Sequence, residues 1–204
     1  MTDTTSTTGT GRPLRADAAR NRERLLEVAL CAFLQDGTDV PLEQIAVDAG
    51  VGVGTLYRHF PNRNALVAAV YRHEVERLCE SPAELLAAHP ADVALQEWMG
   101  RFVEYAATKR GMSEALSAAV ASGLPVFDRT RGQIIAALRE LIAAGVEAGT
   151  IRPDADPEDV LRAMGSVWKT TDVSLIGGGQ DWRAQAHRLL ALLTDGLRYG
   201  APRR

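Results

Sequence analysis

The sequence predicts an all-α protein, and three observations carry that prediction. Apolar residues recur at helical spacing along most of the 204 residues. No stretch alternates apolar and polar residues over a useful length, as a half-buried strand would. Glycine and proline stand where the apolar patterns stop, as at Gly37, Pro61 and Pro82. The expected architecture is an N-terminal three-helix domain, joined by a fourth helix to a larger helical C-terminal domain.

The N-terminal end combines a polar arm with a first amphipathic helix. Residues 1–14 are mostly Thr, Ser and Gly, which are too polar to pack, so we expect a disordered arm. From Asp17 the pattern becomes helical, and Gly37 is expected in the C′ position that closes the helix. The predicted core-facing stripe of this helix consists of Leu25, Leu26, Ala29, Leu30, Phe33 and Leu34.

Two short helices are expected next. The second helix should begin near Leu42 and end at Gly50. The third should run from Val53 to His59, because Pro61 pushes the residue before it out of the helical region. The apolar face of the second helix consists of Leu42, Ile45, Ala46 and Ala49.

A fourth helix is predicted from Arg63 to Glu80, where Ser81 and Pro82 are expected to break it. Helical patterns continue to the end of the chain, and Asp156 before a proline is a strong helix start. The predicted limits are 15–62 for the N-terminal domain, 63–80 for the connecting helix and 81–204 for the C-terminal domain. Within the last of these, helices are expected at 83–88, 91–109, 112–122, 125–149, 157–175 and 182–199.

The second and third helices have the layout of a helix-turn-helix, whose second helix enters the DNA major groove. Ala46 is the small residue that lets the two helices cross closely, and Gly50 tolerates the positive φ of a tight turn. Leu56 and Phe60 are spaced to point inward. A Rossmann loop, suggested by the glycines, is excluded because no strand precedes it and Tyr57 stands at the last glycine position.

The third helix concentrates hydrogen-bond donors on its outer face. Tyr57 faces solvent in a short helix, and its hydroxyl could donate to a phosphate, as could Thr55 and His59. Arg58 could bond bidentately to guanine. A polar, aromatic helix face without a ligand is the alternative interpretation.

After an amphipathic first helix, the stretch AGVGVGTLYRHFPNRNALVAAV resembles the N-terminal domain of the TetR family of bacterial transcriptional regulators, over roughly residues 16–75. The resemblance implies a homodimer with a variable C-terminal domain that binds a small molecule. It assigns phosphate-contacting positions to Thr55, Tyr57, His59 and Arg63, and base-facing positions to Val53, Gly54 and Arg58.

The chain departs from the family pattern before and within the second helix. Pro41 and Leu42 stand where the family often has a phosphate-binding Thr or Ser. Glu43 stands where some members have a basic, base-contacting residue; a carboxylate there would repel phosphate but could accept from a cytosine amine. Before the first helix, Arg12 and Arg15 could reach the minor groove or nearby phosphates, or stay solvated.

The C-terminal region is expected to hold a ligand cavity and a dimer interface. It is similar to a C-terminal domain type of actinobacterial TetR-like regulators. The helices at 157–175 and 182–199 carry apolar faces that could form a four-helix bundle between subunits, with intrachain core as the alternative. Large, soft side chains favour a pocket, although each could equally be core. The candidates are Trp98, Phe102, Tyr105, Met112, Leu116, Phe127, Met164 and Trp168.

Charge and composition narrow the possible functions. The net charge is −3, so any DNA affinity must come from local placement of charge. Cys31 and Cys79 are expected as buried, small hydrophobic residues, and the four histidines lack metal-ligand spacing. We therefore expect no metal and no cofactor. No apolar run suits a signal peptide or a membrane span, which predicts a cytoplasmic protein.

These observations favour a dimeric transcriptional repressor that a small molecule releases from a palindromic, double-stranded DNA operator. An activator with the same DNA-binding domain is the first alternative. An enzyme built on a helical bundle is the second, but no sequence such as HExxH or GxSxG supports it.

Overall fold

The computed structural model describes residues 11–170 and 182–199, with side chains described for residues 17–167 and 182–198. Within these residues the protein is helical and contains no strand, which confirms the all-α prediction. The helices are α1 (Gly11–Gln35), α2 (Leu42–Asp48), α3 (Val53–His59), α4 (Arg63–Ala88), α5 (Ala91–Gly111), α6 (Ser113–Ala121), α7 (Thr130–Glu147), α8 (Pro157–Thr170) and α9 (Trp182–Tyr199). None of the described helices combines the length and apolar character needed to cross a membrane.

The chain forms two compact units. The first contains α1 to α3, the part of α4 up to Val70, and residues 111–124 with α6. The second contains the rest of α4 from Tyr71, followed by α5, α7, α8 and α9. The division falls inside α4, so the two units share one helix along the sequence.

Helix α1 begins earlier than predicted. It is helical from Gly11, so residues 11–14 are not part of a disordered arm, and residues 1–10 lie outside the described part of the chain. Its predicted stripe is mostly buried, but Leu34 is 47% exposed. Cys31 is also exposed, contrary to prediction, and borders an open cavity of about 300 Å³ on α1 and α2. Both residues lie near the end of α1, beside the buried Ala32 and Phe33.

The sequence predicts that α4 ends at Glu80, but the helix continues through Pro82 to Ala88. Proline lacks the N–H that would bond to the carbonyl four residues earlier, here that of Leu78. Two side chains replace that donor: Ser81 Oγ donates to the Leu78 oxygen at 2.8 Å and Trp98 Nε1 at 2.9 Å. Because these donors satisfy the freed carbonyl, the helix tolerates a proline in its interior.

The remaining helices agree with the predicted ones apart from their ends. Helix α7 begins at Thr130 rather than at residue 125. Helix α8 starts at Pro157 as predicted, and Asp156 Oδ1 caps it by accepting from the backbone N–H of Glu158 at 2.8 Å and of Asp159 at 3.1 Å. Residues 171–175, where this helix was predicted to end, lie outside the described range.

Gly145 in α7 is expected to tolerate no side chain. A Cβ at this position would lie 2.3 Å from Ile151 Cγ1 and 2.9 Å from Ile151 Cβ, and Ile151 is buried. Overpacking therefore outweighs the higher helix propensity of alanine, and Gly145→Ala should lower the free energy of unfolding by about 1–2 kcal/mol. Urea denaturation followed by circular dichroism measures this change.

Gly132 in the same helix provides the matched control. A Cβ there would meet nothing within 4 Å, so Gly132→Ala should leave stability unchanged or raise it by up to about 1 kcal/mol. Equal effects of the two substitutions would show that Ile151 does not limit the space at Gly145.

Candidate nucleic-acid interface

The turn between α2 and α3 has the geometry that the sequence predicts. Gly50 has a φ of +65°, which is a left-handed conformation that favours glycine. The backbone N–H of Gly50 donates to the Val47 carbonyl at 2.9 Å, and that of Val51 to the Ala46 carbonyl at 3.0 Å. Ala46 and Ala49 are buried, as the close crossing of the two helices requires.

Helix α3 is short and weakly capped. Its N-cap is Gly52, which makes no side-chain cap hydrogen bond, although its carbonyl accepts from the backbone N–H of Thr55 and Leu56. The helix ends at His59, where Phe60 leaves the helical conformation with φ −135° and ψ 92°. Asn62 then caps α4, since its Oδ1 accepts from the Ala65 N–H at 2.9 Å.

Helix α3 has one buried and one exposed face, as the spacing of its apolar residues predicts. Leu56 and Phe60 are buried beneath it, whereas Tyr57 is 40% exposed. Among the predicted DNA-contacting residues, Val53, Gly54 and Arg58 are exposed, and Thr55 and His59 are half-buried. The outer face of α3 therefore offers a phenol hydroxyl and a guanidinium to a ligand.

Tyr57 is bonded to Glu43, a pairing that the sequence analysis did not anticipate. The Tyr57 hydroxyl donates to Glu43 Oε1 at 2.8 Å and so joins α3 to α2 across 14 positions of sequence. The pKa of Glu43 is lowered by its own backbone N–H first and by the Tyr57 hydroxyl second, with a smaller contribution from Arg63. The same hydrogen bond raises the pKa of Tyr57. No local spacing rule connects the two residues.

We expect the carboxyl titration of Glu43 to report this bond. In the folded protein its pKa should lie below the ordinary value of 4.5. Tyr57→Phe should move it upward because one of the groups that stabilise the carboxylate is removed. A folded-state pKa below the unfolded one means that the interaction stabilises the protein above the unfolded pKa and is lost as pH falls through the folded one.

Carbon-detected NMR titration of the Glu43 carboxyl in wild type and in Tyr57→Phe makes this measurement. Asp154, whose pKa is lowered chiefly by Arg152, should titrate identically in both proteins and serves as the internal control. An unchanged Glu43 midpoint would rule out the hydrogen bond in solution.

The three arginines of the predicted site differ in their surroundings. Arg58 is exposed, and its Nε donates to the Gly54 carbonyl at 3.2 Å, which uses one of its five N–H donors. Arg63 is half-buried and donates from Nη1 to the Thr38 carbonyl, so it also anchors the loop before α2. Arg15 lies in α1, but its side chain is outside the described residues.

Comparisons with known proteins agree with this geometry. Residues 25–70 match a family described as bacterial regulatory proteins, tetR family, and residues 90–199 match the C-terminal domain of SbtR-like transcriptional regulators. The crystal structure of the TetR transcriptional regulator SCO0520 from Streptomyces coelicolor is 46% identical, with a TM-score of 0.78 over 87% of this chain and 98% of that one.

The chain belongs to the TetR family. A TetR regulator from Mycobacterium vanbaalenii is 38% identical, with a TM-score of 0.71 over 91% of this chain and 99% of that one. An HTH-type regulator of Staphylococcus aureus (strain USA300) is 36% identical over 64 residues, so the match spans about a third of the length of this curated relative. TetR proteins are DNA-binding transcriptional regulators, and this membership confirms that the chain is not an enzyme.

The predicted effector residues of this TetR protein are divided between its two units. Trp98, Phe102, Tyr105 and Met164 are buried in the second unit, where Phe127 is 40% exposed. Met112 and Leu116 are buried in the first unit. The side chain of Trp168 lies outside the described residues.

Tyr71 is a member of this aromatic group that the sequence analysis missed. Its hydroxyl lies 2.7 Å from that of Tyr105, and its ring meets Phe127 edge-on with 5.2 Å between ring centroids. Lys109 Nζ lies 4.9 Å from the Phe127 ring centroid, and burial lowers the pKa of this lysine. Burial also raises the pKa of Tyr71 and Tyr105, so both are neutral hydrogen-bonding groups. Tyr71 and Tyr105 lie on α4 and α5, 34 positions apart in sequence.

Proposed function

We propose that this TetR-family regulator is a homodimeric repressor that binds a palindromic operator and leaves it when a small molecule binds. One observation carries the proposal: α3 exposes Tyr57 and Arg58 over a buried Leu56. A helix supported in this way can enter a major groove, and a two-fold dimer would place two of them in successive grooves of a palindrome.

Sequence preference would come mainly from Arg58. The remaining N–H donors of its guanidinium can bond to guanine O6 and N7 in the major groove. Thr55, Tyr57, His59 and Arg63 would bond to phosphates and position α3, with Val53 and Gly54 close to the bases. Arg15 would add a contact from the start of α1.

The second unit would receive the effector. Its large side chains offer apolar contacts and hydroxyl groups of the kind that line ligand sites; they are the aromatic Tyr71, Trp98, Phe102, Tyr105 and Phe127, together with Met164. A ligand bound there would favour a conformation in which the two α3 helices no longer match successive grooves. Helix α4 would carry the change, since it belongs to both units along the sequence.

Helix α9 would contribute to the dimer interface. Leu192 on this helix is 67% exposed and lies on the side opposite the buried Leu190 and Leu197, where an apolar side chain is free to contact a second subunit. Leu192→Arg should weaken self-association by about tenfold or more, because a charge would replace an apolar contact in the interface. Light scattering across a concentration series measures the change.

Val120 on α6 is the matched control for Leu192. It is 44% exposed and lies in the first unit, so Val120→Arg should leave the oligomeric state unchanged. A dimer that survives Leu192→Arg at the wild-type concentration would exclude this face of α9 from the interface.

In vitro selection of DNA with the purified full chain tests the function itself. The proposal predicts enrichment of a palindromic sequence, and a gel shift on the selected DNA should give one dimer per site. A reporter gene behind this operator should be silenced by the protein. Enrichment of no sequence would overturn the proposal, whereas activation of the reporter would reverse the sign of the regulation.

A further inference from the structure

The hydrogen bond between Tyr57 and Glu43 lies on the surface that would face DNA. Both side chains are exposed, and the bond joins the first turn of α2 to the middle of α3. A tyrosine hydroxyl carries one proton, and both carboxylates and phosphate oxygens are acceptors only. Glu43 and a DNA phosphate therefore compete for the same donor.

This competition has an energetic consequence. If Tyr57 turns to a phosphate, the Glu43 carboxylate loses the hydroxyl donor, keeps only its own backbone N–H and lies close to the anionic DNA backbone. Two unit charges 4 Å apart in water repel by about 1 kcal/mol, which corresponds to about a fivefold loss of affinity. A DNA donor that bonds to the carboxylate offsets this loss. In the major groove, the N4 amine of cytosine is such a donor.

We propose that Glu43 determines specificity: on non-operator DNA it retains the Tyr57 hydroxyl, whereas at the operator a cytosine N4 amine replaces that hydroxyl, which then binds a phosphate. This inference rests on the proposed function. An acidic residue at a DNA-binding surface then improves selectivity, because it lowers the affinity for competing DNA more than the affinity for the operator. The lowered pKa of Glu43 agrees with a carboxylate that is ionised in the free protein.

The alternative is that Glu43 only stabilises α2, whose N-cap Pro41 makes no side-chain cap hydrogen bond. An acidic side chain in the first turn stabilises a helix. That role would change stability, but it would not change the ratio of operator to non-operator affinity. The ratio therefore separates the two roles.

The experiment measures the affinity of the full chain for the selected operator and for a scrambled duplex of the same composition, over a salt series. Glu43→Gln keeps the shape but removes the charge, and a neutral amide competes poorly with a phosphate for the tyrosine proton. Glu43→Gln should raise the affinity for the scrambled duplex about fivefold and steepen its salt slope by about one. The preference for a C·G pair over other base pairs at one position of each half-site should weaken.

Two further comparisons isolate the hydroxyl. Tyr57→Phe should scarcely change binding to the scrambled duplex in wild type but should weaken it in the Glu43→Gln background, where the hydroxyl has turned to phosphate. Asp48→Asn removes the same charge from the other end of α2, where Asp48 accepts from Gln44 Nε2 at 2.7 Å. This control should leave the affinity ratio near that of wild type.

The results distinguish failure of this inference from failure of the proposed function. Equal effects of Glu43→Gln and Asp48→Asn would overturn the inference, as would a Tyr57→Phe loss of the same size in both backgrounds. If wild type selects an operator and the variants behave in that way, only the inference fails. If wild type selects no DNA at all, the proposed function fails with it.

Discussion

Trp98→Ala should lower the free energy of unfolding by about 3–5 kcal/mol. Trp98 is fully buried in the second unit, and its Nε1 donates to the Leu78 carbonyl that Pro82 leaves without a helical partner. The substitution removes a large apolar side chain together with that donor. Urea denaturation followed by circular dichroism, at fixed protein concentration, measures the loss.

Trp98→Phe separates the hydrogen bond from the packing. It keeps a ring but removes one of the two side-chain donors to the Leu78 carbonyl, so the lost hydrogen bond should lower the stability by about 0.5–1.5 kcal/mol. In a Pro82→Ala background the residue 82 N–H can bond to the Leu78 carbonyl, so the same substitution should have a smaller effect. Equal losses in the two backgrounds would contradict the explanation given for the continuous α4.

Arg58→Ala should weaken operator binding by about 1–3 kcal/mol, mainly at one base pair of each half-site. The guanidinium is exposed on α3 and is the side chain of that face best suited to guanine. Competition gel shifts with operators altered at single positions measure the loss position by position. Binding to scrambled DNA should fall much less.

Arg77 provides the matched control for the loss of charge. It is exposed on α4, where its Nη1 pairs with Glu74 at 3.3 Å. Arg77→Ala should leave base preference unchanged. Equal losses on operator and scrambled DNA for Arg58→Ala would mean that Arg58 contacts phosphate rather than bases.

The helix-turn-helix could be predicted because its rules are local. The apolar spacing of Leu42, Ile45 and Leu56 sets the buried faces of α2 and α3, and both helices begin where predicted. Gly50 has the positive φ that a tight turn requires. Neither feature depends on a distant part of the chain.

The errors arose where distant residues decide the local structure. A proline normally ends a helix, but here Trp98, 20 positions from Leu78, adds its donor to that of the neighbouring Ser81 at the freed carbonyl. The hydrogen bond between Glu43 and Tyr57 also joins residues that are distant in sequence, and it depends on how α2 and α3 cross. By contrast, the predicted start of α4 at Arg63 is confirmed, and a local cap by Asn62 fixes it.

The C-terminal candidates were chosen by side-chain type, and type alone does not assign a residue to a unit. Met112 and Leu116 are buried, as their apolar side chains suggest, yet they belong to the first unit. Local spacing does not identify Tyr71, because it falls within the apolar run of α4 and its partner Tyr105 lies on another helix. The contacts between helices that decide such membership are not encoded in local spacing.

Methylation protection by dimethyl sulfate on the selected operator tests most directly whether α3 contacts bases in the major groove. The reagent methylates guanine N7, the atom to which Arg58 would bond. Wild type should protect one guanine in each half-site, on the two arms of the palindrome, and Arg58→Ala should lose both protections while Arg77→Ala retains them. Protections that persist in Arg58→Ala, or an operator bound without any protected guanine, would contradict the assignment of Arg58 as the base-contacting residue of α3.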